Sequence, residues 1–395
     1  MMRALMPNLP NWINESLAER QQADLIRKTV VLDQAQTAHA QIDGKPYIAF
    51  CSNDYLGLAN HALLKKSLKK AVDKYGVGSG SSHLVIGHTS AHERLEEDIA
   101  AWLGYEKVML FSAGYMANLG AVTALGHKTR DVVGDKLNHA SLVDGAKLSD
   151  SRLRRYLHND VSSCERLLKV SSEGSLLVTD GVFSMDGDMA PLSELARLAS
   201  HYKSLFMVDD AHGLGCLGRS GKGSLALADM SASEVPLLMG TCGKALGTSG
   251  AFIATSKVMG EYLTQFARPY IYTTAMSPAM ASVTSSSVRL LQSAEGDDLR
   301  GRLADNIAYF RQKMQAFPLE LMPSETAIQP ILVGDSSIAL KMSEKLRLRG
   351  VWCTAIRPPT VPIGLARLRI TLSAEHSLQD IDALIDALEY SLLDK

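Results

Sequence analysis

Asp209, in the run Met-Val-Asp-Asp-Ala-His-Gly, and Lys244, in Gly-Thr-Cys-Gly-Lys-Ala-Leu-Gly, stand thirty-five positions apart and offer an acid and an amine. A lysine amine condenses reversibly with an aldehyde to an imine that a substrate amine can displace. A fixed carboxylate keeps a ring nitrogen protonated, so that the ring accepts an electron pair from Cα. These are the two charges that pyridoxal chemistry needs. Asp209 ends an apolar β-type run and Lys244 sits in a glycine-flanked turn, where small neighbours let a bulky ring approach the backbone. Taken singly, each has a plainer reading: a strand-end cap and a solvated loop lysine.

Other residues of suitable type fall beside this pair. A flat ring needs something flat against it, and His139 in Leu-Asn-His-Ala-Ser follows a β-type run. His212, three positions after Asp209, and Ser184 are placed to hydrogen-bond a phenolic oxygen. A phosphate asks for backbone N–H groups at a helix N-terminus, which Ser112-Ala-Gly114-Tyr115 offers between a strand and a helix. Thr241 and the pair Thr273-Thr274 are further donors. A substrate carboxylate calls for the planar fork of an arginine. Arg369, inside the apolar run Leu368-Arg-Ile-Thr-Leu372, is costly to bury without such a partner. Arg367 and Arg357 read as structural or rim residues.

Two tempting motifs fail on context. Gly213-Leu-Gly215-Cys-Leu-Gly218 matches a dinucleotide fingerprint, but a glycine-rich loop follows it where a helix should begin. Gly243-Lys244 is followed by alanine where a phosphate-binding loop requires serine or threonine. The 395 residues are 46% hydrophobic, enough for two or three packed pieces, and the net charge of −1 disfavours nucleic acid and anionic membranes as partners. The five cysteines are scattered and never paired as C-x-x-C, so neither a disulfide framework nor a metal site is expected. No apolar window approaches a membrane span, and the opening MMRALMPNLPNW lacks the apolar stretch of an export signal. A cytoplasmic, membrane-free setting is the expectation.

Short apolar runs at Val108–Phe111, Leu176–Asp180, Leu205–Asp209 and Leu237–Thr241 alternate with helical stretches. This predicts an α/β fold with a mostly parallel central sheet, ligands lying at the carboxyl ends of its strands. Three segments are expected: a helical N-terminal arm (1–48), a major domain (49–288) and a smaller C-terminal α+β domain (289–395). Ser90 and Glu93 read as a capping box opening a helix that ends at Gly104.

The segments SNDYLG, GSGSS, SAGY, NHAS, VFSMDGD, VDDAHG and TCGKALG occur here in the order found in the α-oxoamine synthases, and the chain resembles that family over nearly its whole length. The resemblance implies a fold-type I enzyme that uses pyridoxal 5′-phosphate to condense an amino acid with an acyl thioester. It implies Lys244 as imine lysine and base, Asp209 on the ring nitrogen and His139 stacked on the ring, with Ser184, His212 and Thr241 on the cofactor. Gly114 and Tyr115 would hold the phosphate, with Thr274 reaching it from the other subunit of a homodimer. Arg369 and Asn53 would meet the amino-acid carboxylate, and Arg27 and Thr360 the acyl substrate. The segments VFSMDGDMAPL, RRYLHNDV, YTTAMSP, AIQPILVGD and AIRPPTVPIGLARLRITLSAEH are similar to the biotin-pathway branch, whose substrates are L-alanine and pimeloyl-CoA or pimeloyl-acyl carrier protein. A branch using glycine and acetyl-CoA shares the core residues, and a non-catalytic pyridoxal-binding sensor is the alternative of another class. Tyr115 stands where the family often has Phe, and Cys242 replaces a Phe.

Overall fold

The computed structural model describes residues 9–23 and 25–393, so the first eight residues of the opening MMRALMPNLPNW, from which no export signal was expected, lie outside them. The arm opens with a helix, Asn11–Gln22, that buries none of its side chains. The arm is helical only in this part among its described residues; residues 25–30 run on without regular structure.

A hairpin, β1 (His39–Ile42) and β2 (Lys45–Ala49), precedes the main sheet. That sheet contains β3 (Lys107–Phe111), β4 (Asp131–Asp135), β5 (Arg152–Tyr156), β6 (Leu176–Asp180), β7 (Leu205–Asp209), β8 (Leu237–Thr241) and β9 (Ala251–Thr255), in the spatial order β3-β9-β8-β7-β6-β4-β5. β9 is antiparallel to both neighbours and the remaining pairs are parallel. Alternate residues of the same strands feed two separate cores. Leu110, Val133, Leu177, Val208 and Leu238 pack on one face. Met109, Val132, Val178, Met207 and Ile253 pack on the other. A sheet covered on both faces needs apolar residues at every position, which is why these strands read as continuous hydrophobic runs.

The expected runs are strands, but β4, β5 and β9 escape the pattern. β5 is the edge strand Arg-Leu-Arg-Arg-Tyr. Its Arg152 and Arg154 reach the buried Asp131 of β4 at 2.8 and 2.9 Å, so a charge run of the kind common in loops closes one edge of the sheet. The helix Ser90–Leu103 is capped one residue earlier than expected. Thr89 is the N-cap, and the reciprocal bond to its N–H comes from His92 Nδ1 at 3.0 Å instead of from Glu93. Gly104 ends this helix at φ +80°, a left-handed conformation that glycine adopts without strain.

The C-terminal segment carries the antiparallel sheet of β10 (Glu320–Leu321), β11 (Ile328–Gly334), β13 (Thr354–Ile356) and β14 (Ala366–Thr371), ordered β10-β11-β14-β13. β12 (Val351–Trp352) instead pairs in parallel with β2, which ties the end of the arm to this segment.

The glycines after β7 have a structural task. Asp210 is fully buried, and desolvation pushes its carboxyl up to about 7. A Cβ at Gly213 would stand 2.2 Å from one of its oxygens, and one at Gly223 1.9 Å from the other. The fingerprint-like run therefore wraps a buried acid.

Candidate active site

β6, β7 and β8 end side by side. Asp180 is directly opposite Asp209 in register, and Asp209 opposite Met239. Beyond these ends lies a cavity of about 180 Å³. Its walls include eight of the expected residues: Gly114, Tyr115, His139, Ser184, Asp209, His212, Thr241 and Lys244. Asp209, buried at the end of β7, accepts a hydrogen bond from the Ala211 N–H at 3.0 Å and another from Asn118 Nδ2 at 2.6 Å. Both partners donate, as an acceptor-only carboxylate requires. Asn118 has no signal in the sequence that singles it out. It lies one turn after Gly114 on the helix Gly114–Thr129, so the helix whose N-terminus faces the cavity also clamps the acid.

His139 is the N-cap of the helix Ala140–Leu148, its Nδ1 accepting from the Ser141 N–H, while its own N–H donates to Asp180 at 3.2 Å. These bonds fix the ring at the cavity mouth. Asp180, which the sequence marks only as a strand end, is buried, and burial followed by repulsion from Asp209 pushes its carboxyl well above the usual range.

Lys244 Nζ lies 2.6 Å from His212 Nε2. Desolvation lowers the amine to about 8, against the pull of Asp209 and Asp180. His212 is driven well below the usual histidine range, first by burial and then by the Lys244 and Arg369 charges, so it is neutral. A neutral imidazole beside an amine poised near neutrality is an arrangement for moving protons.

A second cavity, of about 350 Å³, shares His139, Ser184, His212 and Lys244 with the first and adds Cys51, Asn53 and Arg369. Arg369, on β14, donates to Ser184 O at 2.6 Å, Thr371 Oγ1 at 3.1 Å and Asn53 Oδ1 at 3.2 Å. All three partners are neutral, which leaves the buried cation's charge available to an anion. Its neighbour Arg367 is buried too and pairs with Asp186, a structural bond between β14 and the loop of Ser184. A third cavity, of about 710 Å³, shares Thr354 and Ile356 with the second and holds Arg27 and Thr360, together with Lys28, Arg347 and Arg357. The three form one file, with Lys244 between the first two. Thr274 is exposed, bridges Ser82 and lines none of these cavities.

His158, Asp186 and Asp188 bring ligand-type atoms within 4.8 Å of one another. Both His158 nitrogens are engaged, with Asp135 at 3.0 Å and Asp188 at 2.8 Å. Burial alone would lower this imidazole, but those bonds hold it up at about 10. It acts as a cation tying the loop of Ser184 to β4.

A family model for aminotransferase class I and II matches residues 45–388. An 8-amino-7-oxononanoate synthase of Marinomonas sp. (strain MWYL1) is 60% identical over 391 residues, covering 99% of this chain and 97% of that protein. Among solved structures, SPT with the PLP internal aldimine superposes with a TM-score of 0.91 at 28% identity, covering 97% of this chain and 98% of that one. The 8-amino-7-oxononanoate synthase of Francisella tularensis superposes with a TM-score of 0.76 at 32% identity, covering 87% and 96%.

Proposed function

The chain belongs to the aminotransferase class I and II family, and from that premise we propose that it condenses L-alanine with a pimeloyl thioester. The products are 8-amino-7-oxononanoate, CO₂ and the free thiol carrier, a step of biotin biosynthesis, with pyridoxal 5′-phosphate as cofactor. The observation that carries the reading is the file of three cavities around Lys244, whose residue types suit a cofactor, an amino acid and a long acyl chain in turn.

The residues present fit the cofactor. Asp209, with its two donors, matches a protonated ring nitrogen. His139 offers a planar face, and the N-terminus of the helix Gly114–Thr129, with Thr241 beside it, suits a phosphate. When bound, pyridoxal phosphate supplies an electron sink for the pair left at Cα, first on proton loss and again on loss of CO₂.

The protein does the rest. Arg369 and Asn53 hold the alanine carboxylate in the middle cavity and thereby orient the Cα–H bond toward Lys244. Lys244, neutral above about pH 8, takes that proton, and His212, 2.6 Å from the amine in the cofactor-free site, is left to hydrogen-bond the phenolic oxygen of the bound ring. The pimeloyl chain lies in the large cavity with its thioester carbonyl toward Lys244, and Arg27 and Thr360 line its path. A homodimer belongs to the same reading, since Thr274 is exposed on a segment clear of its own chain's cavity. The setting is a cytoplasmic one; among the described residues no helix is long and apolar enough to cross a membrane.

The deciding assay supplies pyridoxal phosphate, alanine and glycine together, and pimeloyl-CoA alongside acetyl-CoA, with mass-spectrometric detection of products. Dominant 8-amino-7-oxononanoate supports the proposal, and dominant aminoketobutyrate overturns it. A parallel arm with pimeloyl-acyl carrier protein identifies the carrier. No product in either arm, despite a Lys244-dependent absorbance with the cofactor, points to a sensor.

A further inference from the structure

An unbroken file of hydrogen bonds runs from the cofactor cavity to the carboxylate cavity through a residue that lines neither. Lys244 Nζ meets His212 Nε2 at 2.6 Å. His212 Nδ1 meets the Tyr55 hydroxyl at 2.5 Å. Tyr55 donates to Asn53 Oδ1 at 3.1 Å, and Arg369 donates to the same oxygen at 3.2 Å. Tyr55 is 1% exposed, so its hydroxyl is confined to these neighbours. It is held from below by the turn that contains it, where the Asp54 carboxylate accepts from the N–H groups of Leu58 at 2.9 Å and Ala59 at 3.1 Å.

We propose that Tyr55 is a positioning residue whose hydroxyl sets which nitrogen of His212 carries the proton, and that it reverses direction when the cofactor enters. A hydroxyl has a single proton and can donate to Asn53 Oδ1 or to His212 Nδ1, but not to both. Two arrangements satisfy every group. In the first, Tyr55 donates to Asn53 and accepts from Nδ1–H, and Nε2 presents a lone pair to the Lys244 amine. In the second, Tyr55 donates to Nδ1, Nε2–H points into the cavity, and Asn53 keeps its bond from Arg369. The first suits a free lysine. The second suits an anionic oxygen, such as the phenolic oxygen of a bound pyridoxal ring. Passage between them rotates one hydroxyl and exchanges one imidazole N–H for the other through water, with no net charge gained.

The freedom of the tyrosine proton is what makes the switch easy. His212 is buried and neutral, so it always has one donor and one acceptor nitrogen, and a rigid partner at Nδ1 would commit Nε2 to one role. The hydroxyl removes that commitment. The inference rests on the proposed function only in requiring that the cofactor occupy the 180 Å³ cavity; it is independent of which amino acid or acyl chain reacts.

The experiment uses protein labelled with ¹⁵N-histidine and two-bond ¹H–¹⁵N spectra, with the His212 signal assigned by its loss in His212→Gln. The expected result is Nδ1–H in the cofactor-free protein and Nε2–H after addition of pyridoxal phosphate. In Tyr55→Phe the cofactor-free protein is expected to lose the Nδ1–H preference. A tautomer unchanged by the cofactor, or a Tyr55→Phe pattern identical to that of the parent protein, overturns the proposal. A purely structural role for Tyr55 would lower the melting temperature and leave the His212 pattern as it was. Should Tyr55→Phe not fold, 3-fluorotyrosine at position 55, a stronger donor of the same shape, is expected to raise the Nε2–H fraction without cofactor. No change in that fraction counts against the proposal. The product assay is a separate measurement, so loss of the spectral switch with normal product formation rejects the role of Tyr55 alone, whereas an intact switch with no product rejects the proposed reaction alone.

Discussion

The two ends of the cavity file are built differently. Asp209 and His212 at the carboxyl end of the main sheet, and Arg369 on β14 of the C-terminal sheet, are buried on or beside regular strands, and each is held by two or more neighbours. The 710 Å³ cavity has one wall on the helix Ser336–Leu348 and the strands β12 and β13, but its other walls are residues 25–30 of the arm and the proline loop at 357–360, where Arg27, Lys28 and Thr360 are exposed. Groups that handle protons must hold sub-ångström geometry, which packed strands provide. Groups that accept a long flexible chain need reach and area, which loops provide. Substitutions at the two ends should therefore fail in different ways.

The largest effect is expected at the rigid end. Lys244→Ala should lower kcat by about 10³-fold or more, since both the imine and the base are lost; single-turnover assays with saturating substrates check it. Asp209→Asn keeps the shape and removes the charge, and a loss of roughly 10²–10³ in kcat with an unchanged fold is expected. If either variant raised KM and left kcat alone, the distinction between the two ends would collapse.

The amine of Lys244 offers a third test. Its ordinary value is 10.5, and desolvation brings it to about 8. The neutral, reactive form grows as pH rises, so labelling of Lys244 by an amine-acylating reagent in the cofactor-free protein should increase about tenfold per unit below pH 8 and level off above it. A profile still rising past pH 10 would show that the amine is solvated. Surface lysines in the same digest serve as the internal reference.

The smallest effects are expected in the large cavity. Arg27→Ala should raise KM for the pimeloyl thioester by about tenfold or less and leave KM for alanine unchanged, because an exposed charge contributes roughly 1 kcal/mol or less. Arg369→Ala should do the reverse and more strongly, at about 10–100-fold in the alanine KM, because its fork is desolvated. Crossed effects, with Arg27 altering the alanine KM, would sharpen the comparison by showing that the cavities communicate.

Much of this architecture is legible in the chain itself, and particular residues show why. Lys244, Asp209, His139 and His212 carry distinctive chemistry inside short glycine- and alanine-rich runs, and β6, β7 and β8 read as strands because both faces are covered. β5 is invisible to such reading because its arginines are offset by Asp131 across the sheet, a partner twenty-one positions away from Arg152. Asn118 and Tyr55 escape it because neutral polar residues acquire meaning only from what they face. The cap falls at Thr89 and not at Ser90, although serine is if anything the better N-cap residue, because Thr89 has the extended backbone of a cap and Ser90 is already in the helix.

The sequence by itself determined which groups could react and in what order the strands and helices that bear them would follow, because periodicity and residue type are local properties of the chain. Only the tertiary structure decided that Asp180 and Asp209 would lie in register, that Asn118 would clamp the acid, that β14 would carry Arg369 to Asn53, and that Tyr55 would close the path between His212 and the carboxylate cavity. Those pairings join positions separated by as many as 316 residues. They are selected by the burial of two sheets against their helices, a free energy that belongs to the whole packing and to no single segment.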